Sequence, residues 1–508
     1  MCKIRIMTKK VEIHGICEPR FEAVKEAFTQ NFEEGMEVGA SFAVTINGKY
    51  MIDIWGGFKD KEKTQPWEKD TICNVYSTTK VPTVLCTMMC VDRGLVDLDE
   101  KVAKYWPEFA QNGKENILVR QILSHTSGLA GFEEAGTIPT KFLYDWEKAT
   151  SLLAAQKPWW EPGTKSGYHA ITHGYLLGEI VRRVTGKTLG TFFKEELANP
   201  LKIDFHIGLA EEHVPRVTKL IPDRPIMEYI PLIMGGVFRL ANNSEAVKKE
   251  IESLEKKIML DYGDEDQFAV IISNGKTEFK TGKIDNPDCI FTVSKDRAGV
   301  MNWLFSSLNE NPDYISENLK MEGKPEDLDQ VKKLFELIAI EVRRSGGVGI
   351  KMALPGGIRD RSGDRDWQAA EIPAANGHGN ARSVAKIASV IACEGELDGT
   401  RFISQETLEK ILEEQIYGRD LVMPYPLRWG LGVGLPTKER PRPNLRTCFW
   451  GGAGGSAISM DLDDKIGIGY VMNKMRNQTL QETAANFFHS DTRGNRLIKA
   501  VYESLDLI

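Results

Sequence analysis

Strict alternation of apolar and polar residues in several short segments predicts β-strands. Residues 41–46 alternate, Asn47-Gly48 follows, and residues 49–55 return with the same period. An Asn-Gly pair between alternating segments is typical of a two-residue turn, so we expect a hairpin here. Residues 457–462 and 466–472 predict two further strands near the C-terminus.

Longer segments with apolar residues every three or four positions predict helices between these strands. Residues 78–95 are mostly apolar, as expected of a helix buried in a core. Residues 152–155 and 174–183 also predict helices, and a last helix is expected over about 481–505. Strands near both ends with helices between them favour an α+β fold, with an antiparallel sheet flanked by helices.

The apolar periodicity begins anew in the charge-rich stretch from about 244 to 344, which predicts a separate structural domain. Ser244 is a candidate N-cap, because its hydroxyl can accept a free N–H of the first helical turn. The expected elements are a helix carrying Val247, Ile251, Leu254 and Ile258, strands at 268–272, 277–280 and 289–294, a helix at 296–304, a strand at 319–321, and a helix around 328–338. About 100 residues suffice for a separate core. The predicted layout is a first part over 1–235, an insert over 236–345, and a second part over 346–508.

Composition and charge narrow the class of protein. The chain has 508 residues, 42% hydrophobic and 27% charged, as in folded soluble proteins. With 72 acidic and 65 basic residues the net charge is −7, so a nucleic-acid partner is not expected. We find no membrane span, no signal peptide and no C-x-x-C among the eight cysteines, which predicts a cytoplasmic protein with reduced thiols.

Ser77 and Lys80 form an S-x-x-K motif at the start of the predicted buried helix. Residues three apart share a helix face, and a partly desolvated lysine can take the proton of a neighbouring hydroxyl. Free N–H groups at a helix start also favour a developing negative charge. The same spacing recurs at 253–256 and 383–386, so an ordinary solvated helix start is the alternative.

Two later segments carry further candidate chemistry. Tyr168 follows a Trp-Trp-Glu-Pro-Gly stretch, and a phenol near a lysine can act as a phenolate of lowered pKa that exchanges the proton of a serine. Residues 449–456, Phe-Trp-Gly-Gly-Ala-Gly-Gly-Ser, enter a predicted strand whose N–H groups can form an oxyanion hole. A buried structural tyrosine and a plain glycine turn are the alternatives.

The histidines offer weaker candidates. His125 is a second possible base, although a structural residue that fixes a loop is the favoured interpretation. His169 and His173 have the i,i+4 spacing of metal ligands but lack a third ligand nearby, and His378 lies in a glycine-rich loop that can line a cleft. We find no other catalytic or nucleotide-binding motif, so neither a metal nor a cofactor is expected.

In this order, and with the segments at 119–129, 161–164, 186–193 and 199–201, these motifs resemble the serine β-lactamase-related family. The resemblance is to class C β-lactamases and family VIII carboxylesterases, and it covers about 1–230 and 345–508. It implies a β-lactamase/transpeptidase-like antiparallel sheet flanked by helices, plus a helical region. It also implies the roles of Ser77 as acylated nucleophile, Lys80 as its proton-transfer partner and Tyr168 as general base for acylation and deacylation.

By the same resemblance, Trp450, Gly451 and Gly452 occupy the place of the family's K-T-G or H-x-G strand. The N–H of Ala453 is then the second oxyanion donor, beside that of Ser77. A tryptophan in this place offers an apolar wall in place of a cation that would hold a substrate carboxylate.

The family's Y-x-N triplet reads Tyr168-His169-Ala170, so an amide that often contacts β-lactam side chains is missing. Both departures favour an esterase for small hydrophobic carboxylic esters. A β-lactamase or D-amino peptidase on the same fold is the alternative.

Residues 286–294 and 317–323 resemble the sterol-carrier-protein type 2 family, in which a sheet and helices enclose an apolar tunnel. The resemblance implies a small α+β insert that binds a fatty acyl chain or sterol, besides the ester substrate of the hydrolase. An ordinary α+β insertion is one alternative, and a lipid-binding protein with a vestigial hydrolase domain is another.

Overall fold

The computed structural model describes residues 11–133, 140–222, 238, 241–262, 267–293, 319–345, 362–423, 425–476, 489 and 491–508. The chain divides into two compact units, one formed by Met1–Ala130, Leu143–Asp223 and Arg361–Ile508, the other by Gly131–Phe142 and Arg224–Asp360. The helix predicted at 296–304 and the first part of that predicted at 481–505 lie outside the described residues.

The strands and helices follow in chain order. The strands are β1 (Ile13–Cys17), β2 (Gly39–Ile46), β3 (Lys49–Gly57), β4 (Ile72–Asn74), β5 (Phe205–His206), β6 (Val217–Thr218), β7 (Lys256–Asp261), β8 (Gln267–Ser273), β9 (Lys276–Thr281), β10 (Cys289–Val293), β11 (Leu319–Gly323), β12 (His378–Gly379), β13 (Glu396–Leu397), β14 (Thr400–Arg401), β15 (Ile416–Arg419), β16 (Pro426–Trp429), β17 (Thr447–Gly451), β18 (Ala457–Asp461) and β19 (Ile466–Met472). The α-helices are α1 (Glu22–Glu33), α2 (Lys80–Asp92), α3 (Val102–Tyr105), α4 (Val119–Leu123), α5 (Trp146–Ala155), α6 (Thr172–Thr185), α7 (Leu189–Phe193), α8 (Asn199–Leu201), α9 (Glu245–Ile251), α10 (Pro325–Ser345), α11 (Arg365–Ala369), α12 (Ala381–Ala392), α13 (Gln405–Leu412) and α14 (Thr492–Ser504).

The first unit contains an antiparallel six-stranded sheet in the order β1-β3-β2-β19-β18-β17. The hairpin predicted at 41–55 is confirmed as β2 and β3, and the strands predicted at 457–472 as β18 and β19. Asn47 and Gly48 both take left-handed φ values, 50° and 75°, as this tight turn requires. The sheet ends at β17, the strand that carries the predicted glycine-rich segment.

Helix α12 packs on this sheet because two glycines of β19 leave room for it. A Cβ at Gly469 would lie 2.3 Å from the backbone oxygen of Ala381, and one at Gly467 would lie 2.8 Å from that of Ala385. Helix α2 is buried along almost its whole length, as its apolar sequence predicted. It begins at Lys80, after a 3₁₀ turn over Tyr76–Thr79.

The second unit has a five-stranded sheet in the order β11-β10-β7-β8-β9, in which only β10 and β7 are parallel. Ser244 caps α9 as predicted, since its Oγ accepts the N–H of Val247. The prediction that one helix continues to Ile258 is wrong. The helix ends at Ile251, and Ile258 lies in β7, in the middle of the sheet.

The core of this unit is a cluster of buried, mostly apolar side chains. Helix α10 contributes Val331 and Leu334 to this core, and the sheet contributes Ile258 and Phe291. No helix within the described ranges is long and apolar enough to cross a membrane.

Candidate active site

The turn that carries Ser77 is held in an uncommon backbone conformation. Tyr76 has a φ of 42°, in the left-handed region that non-glycine residues seldom adopt. The turn is fixed from the chain segment before α12, because the N–H of Gly377 donates to Thr79 Oγ1 over 2.9 Å and the N–H of Val75 donates to the Gly377 oxygen over 2.9 Å. Ser77 therefore sits half-exposed at the start of a rigid, buried helix.

The Lys80 side chain is completely buried and its Nζ has three close oxygen neighbours. It lies 2.6 Å from the backbone oxygen of Ala170, 2.9 Å from that of Ala374 and 3.2 Å from Ser77 Oγ. Burial lowers the pKa of Lys80 well below its usual value. The two carbonyl oxygens only accept, so in the neutral amine they take both N–H groups and leave the lone pair for the serine hydroxyl.

The Tyr168 hydroxyl joins the serine to β17. It forms a hydrogen bond with Ser77 and accepts one of 3.3 Å from the indole Nε1 of Trp450. Lys80 Nζ lies 4.8 Å from the centre of the phenol ring. The structure thus brings together the three side chains predicted as nucleophile, proton-transfer partner and base.

The expected lowering of the Tyr168 pKa is wrong for this arrangement. Burial raises the pKa of Tyr168 above its usual value, although the hydrogen bonds with Ser77 and Trp450 act in the opposite direction. Stabilisation of a phenolate by Lys80 is also weakened, because burial disfavours the charged form of this lysine. Burial therefore favours the uncharged forms of both groups, phenol and amine.

The glycine turn after β17 packs directly on the serine turn. Ser456 Oγ donates to the backbone oxygen of Val75 over 2.8 Å and lies 2.9 Å from Thr78 Oγ1. Gly452 is required at this contact, because a Cβ there would lie 2.1 Å from the Val75 oxygen. A Cβ at Gly451 would lie 2.9 Å from His489 Nε2.

The predicted oxyanion donor Ala453 lies at the exposed tip of this turn. Its N–H makes no turn or loop hydrogen bond to another described backbone group. Its role as the second oxyanion donor, beside the N–H of Ser77, stays a prediction.

Two residues of the site had no signal in the sequence, Asp420 and Trp429. The ring of Trp429 stacks on that of Tyr168, with centroids 6.1 Å apart and planes 12° from parallel, and packs against Trp450 at 4.6 Å. The carboxylate of Asp420 accepts the backbone N–H of Tyr168 over 3.0 Å. Both come from the hairpin of β15 and β16, whose sequence resembles no catalytic motif.

His125, His169 and His173 form a buried cluster behind the Tyr168 ring. His125 Nδ1 accepts the backbone N–H of His169 over 3.2 Å, and burial lowers the pKa of His125 well below its usual value. His169 Nδ1 donates to the oxygen of Gly167, which leaves Nε2 to accept from the Ser127 hydroxyl over 2.7 Å. These contacts agree with a structural role that fixes the loop before Tyr168.

His378 lies in β12, fully buried and paired with β4 and β5. Its Nδ1 donates to the oxygen of Asn376 over 2.7 Å. The described residues contain no cluster of three or more His, Cys, Asp or Glu side chains suited to a metal ion.

The β-lactamase family model matches residues 28–238 and 339–487. The chain belongs to the β-lactamase family. It is a serine hydrolase of that family, and the stretch between the two matched segments falls within the insert predicted at 236–345.

Relatives of known name include both esterases and penicillin-binding protein homologues. The esterase/β-lactamase LipL of Mycobacterium tuberculosis is 28% identical over 482 residues, which is 94% of this chain and 86% of LipL. A family VIII carboxylesterase of known structure is 32% identical with a TM-score of 0.66, covering 97% of this chain and all of the other. A penicillin-binding protein homologue from Caulobacter crescentus is 29% identical with the same TM-score and the same coverage.

Proposed function

We propose that this serine hydrolase cleaves small hydrophobic carboxylic esters through an acyl-enzyme on Ser77. The observation that carries the proposal is the position of the buried Lys80 amino group, whose pKa is lowered by burial, next to the Ser77 hydroxyl. Tyr168 is placed to complete proton transfer, because its hydroxyl contacts the same serine.

Acylation starts when Ser77 Oγ attacks the ester carbonyl and passes its proton to Lys80 Nζ. The carbonyl oxygen becomes an oxyanion, for which the N–H groups of Ser77 and Ala453 are the proposed donors. When the ester C–O bond breaks, the leaving alkoxide takes the proton of Tyr168. An alcohol leaves, and the acyl-enzyme retains an ammonium at Lys80 and a phenolate at Tyr168.

Deacylation reverses these proton transfers with water in place of the alcohol. The Tyr168 phenolate removes a proton from water as the hydroxide attacks the acyl carbonyl. The ammonium of Lys80 then protonates Ser77 Oγ as its bond to the acyl carbon breaks. The cycle ends with a free carboxylic acid, neutral Lys80 and protonated Tyr168, the forms in which it began.

The surroundings of Tyr168 favour an apolar acyl group. The indole N–H of Trp450 is engaged with the phenol, so this position brings no charge to a substrate. Ala170 contributes only its backbone oxygen, which Lys80 occupies. Leu421 and Met423, on the loop that bonds to the Tyr168 segment, are exposed and half-exposed apolar side chains. The names of the esterase relatives agree with this substrate class.

Nitrophenyl acetate and butyrate, assayed beside a chromogenic cephalosporin, test the substrate class. We expect ester hydrolysis to exceed cephalosporin hydrolysis. A strong cephalosporin rate with negligible ester hydrolysis would overturn the proposal in favour of the β-lactamase alternative.

An active-serine phosphonate tests the nucleophile. We expect one label per chain, lost in Ser77→Ala and kept in Ser253→Ala. Ser253 is a matched control, because it has the same S-x-x-K spacing but lies exposed in the second unit. An unlabelled wild-type chain would favour a vestigial hydrolase.

A fatty acyl chain or sterol is the second ligand we propose, bound by the insert. The proposal is supported by the large cluster of buried apolar side chains that α10 and the five-stranded sheet share. The test is displacement of a fluorescent fatty acid from the full chain after Ser77 has been blocked with phosphonate, so that binding at the hydrolase site does not contribute. Absence of bound probe would end this proposal without affecting the esterase assignment.

A further inference from the structure

Asp420 is a buried carboxylate that accepts hydrogen bonds from four N–H groups. It lies directly after β15 and is 2% exposed. Its Oδ1 accepts the backbone N–H of Tyr168 over 3.0 Å and those of Val422 and Met423 over 2.9 Å each. Its Oδ2 accepts the indole N–H of Trp429 over 3.4 Å.

All four partners donate, so both oxygens act as acceptors, as in an ionised carboxylate. Two of the bonds, to Val422 and Met423, close the local turn and would satisfy a purely structural residue. The other two bonds involve Tyr168 and its neighbour. One goes to the backbone of Tyr168, 252 positions away in the sequence, and the other goes to Trp429, whose ring stacks on the phenol.

These two bonds fix Tyr168 in complementary ways. The bond to its N–H sets the position of the backbone, and the bond to Trp429 sets the indole plane that lies 12° from the phenol plane. The hydroxyl of Tyr168 has to reach both Ser77 and Trp450, so a small displacement of the ring breaks one of the two contacts.

We propose that Asp420 is a positioning residue for Tyr168, which holds the backbone and the flanking indole so that the phenol hydroxyl faces Ser77. The proposal rests on the proposed role of Tyr168 in acyl transfer. The negative charge of Asp420 also acts on the phenol, since it contributes to the raised pKa of Tyr168. Among the described residues, the other titratable groups near the ring include Lys80, Tyr425 and the histidine cluster of His125, His169 and His173.

Asp420→Asn removes the charge and the bond to Trp429 but can keep the bond to the Tyr168 backbone. The amide oxygen can keep the three backbone bonds, while the amide nitrogen opposes the indole N–H of Trp429. We expect kcat/KM for an alkyl ester, whose leaving alkoxide takes the proton of Tyr168, to fall about ten- to a hundredfold, which corresponds to about 1.4–2.7 kcal/mol, the size of one hydrogen bond to a charged group. The alkaline limb of the pH profile should move to lower pH, because the charge that opposes the phenolate is gone.

Trp429→Phe keeps the stacked ring and removes the indole donor, so we expect a smaller loss of rate and an alkaline limb close to that of the wild type. Asp461→Asn is the matched control. Asp461 is also a buried carboxylate, 1% exposed, but it accepts from Asn444 and Tyr502 away from Tyr168. We expect this control to lose stability while its acylation rate per active site, counted by phosphonate labelling, is unchanged.

An unaltered rate and pH profile in Asp420→Asn would overturn the proposal, as would an equal rate loss in the control at equal melting temperature. If Asp420→Asn does not fold, Asp420→Glu replaces it in the same assay. We expect this variant to have a reduced rate but an alkaline limb at the wild-type pH, because the charge is kept. A wild-type rate would overturn the proposal. Failure of the proposed function would look different. Tyr168→Phe would then keep the full acylation rate, or the wild type would not be labelled at Ser77.

Discussion

Gly452→Ala should separate the activity of this hydrolase from its folding. The added Cβ would lie 2.1 Å from the backbone oxygen of Val75 and 2.3 Å from Ser456 Oγ. A comfortable carbon–oxygen contact is more than 3 Å, so the glycine turn has to retreat from the serine turn by about 1 Å. Val75 stands two positions before Ser77, so the displacement falls on the nucleophile and its proposed oxyanion donor.

The magnitude follows from this displacement. A misplacement of about 1 Å costs on the order of a hundredfold in rate, and a hundredfold corresponds to about 2.7 kcal/mol of transition-state stabilisation. Overpacking of a tight contact typically costs about 1–3 kcal/mol of folding free energy. We therefore expect the acylation rate to fall about a hundredfold in a protein that still folds.

The assay is the acylation burst with nitrophenyl acetate, per phosphonate-labelled site, beside thermal unfolding. Gly363→Ala is a matched control, because a Cβ there meets only the Lys219 side chain, at 3.7 Å or more. We expect this control to match the wild type in both measurements. A folded Gly452→Ala protein that acylates within a few-fold of wild type would refute the idea that contact between the two turns sets the site geometry.

Three further predictions address the proton transfers and the insert. Trp450→Phe removes the hydrogen-bond donor that lowers the pKa of Tyr168, so the phenol becomes a weaker acid toward the leaving group. The acylation rate should fall about tenfold, the equivalent of one hydrogen bond, and it should fall more for alkyl than for nitrophenyl esters. The kcat/KM for a neutral ester should rise with pH as Lys80 loses its proton, and because the pKa of Lys80 is lowered, this rise should level off well below pH 10. It should fall again only above the raised pKa of Tyr168. A rise centred near pH 10 would show that Lys80 is charged at rest. Leu334→Ala should lower the unfolding free energy of the second unit by about 2–5 kcal/mol, seen in thermal unfolding, while the esterase rate below that transition stays unchanged.

The parts of the fold that follow local rules were predictable from the sequence. The Asn-Gly turns fixed the hairpins around Asn47 and Asn274, because both need left-handed backbone at each turn position. The S-x-x-K spacing located Ser77 and Lys80 on one turn, and the order of the motifs located Tyr168.

The predictions failed where two elements share one apolar period. Ile258 follows Leu254 by four residues, so the pattern continues through the end of α9 and hides the start of β7. The contacts of Asp420 and Trp429 with Tyr168 were also out of reach, since they join segments more than 250 positions apart. The direction of the Tyr168 pKa shift was misjudged because it is decided by burial of the phenol, which depends on tertiary packing.

The environment of Lys80 also makes catalytic activity depend on completed folding of the chain. Its two carbonyl partners come from opposite sides of the stretch predicted as an insert, Ala170 before it and Ala374 after it. A chain that has been synthesised only as far as the second unit still lacks one of them, and its lysine remains open to water and protonated. Hydrolysis should therefore begin only once the last third of the polypeptide has docked, so that ester turnover measures completed folding as well as chemistry.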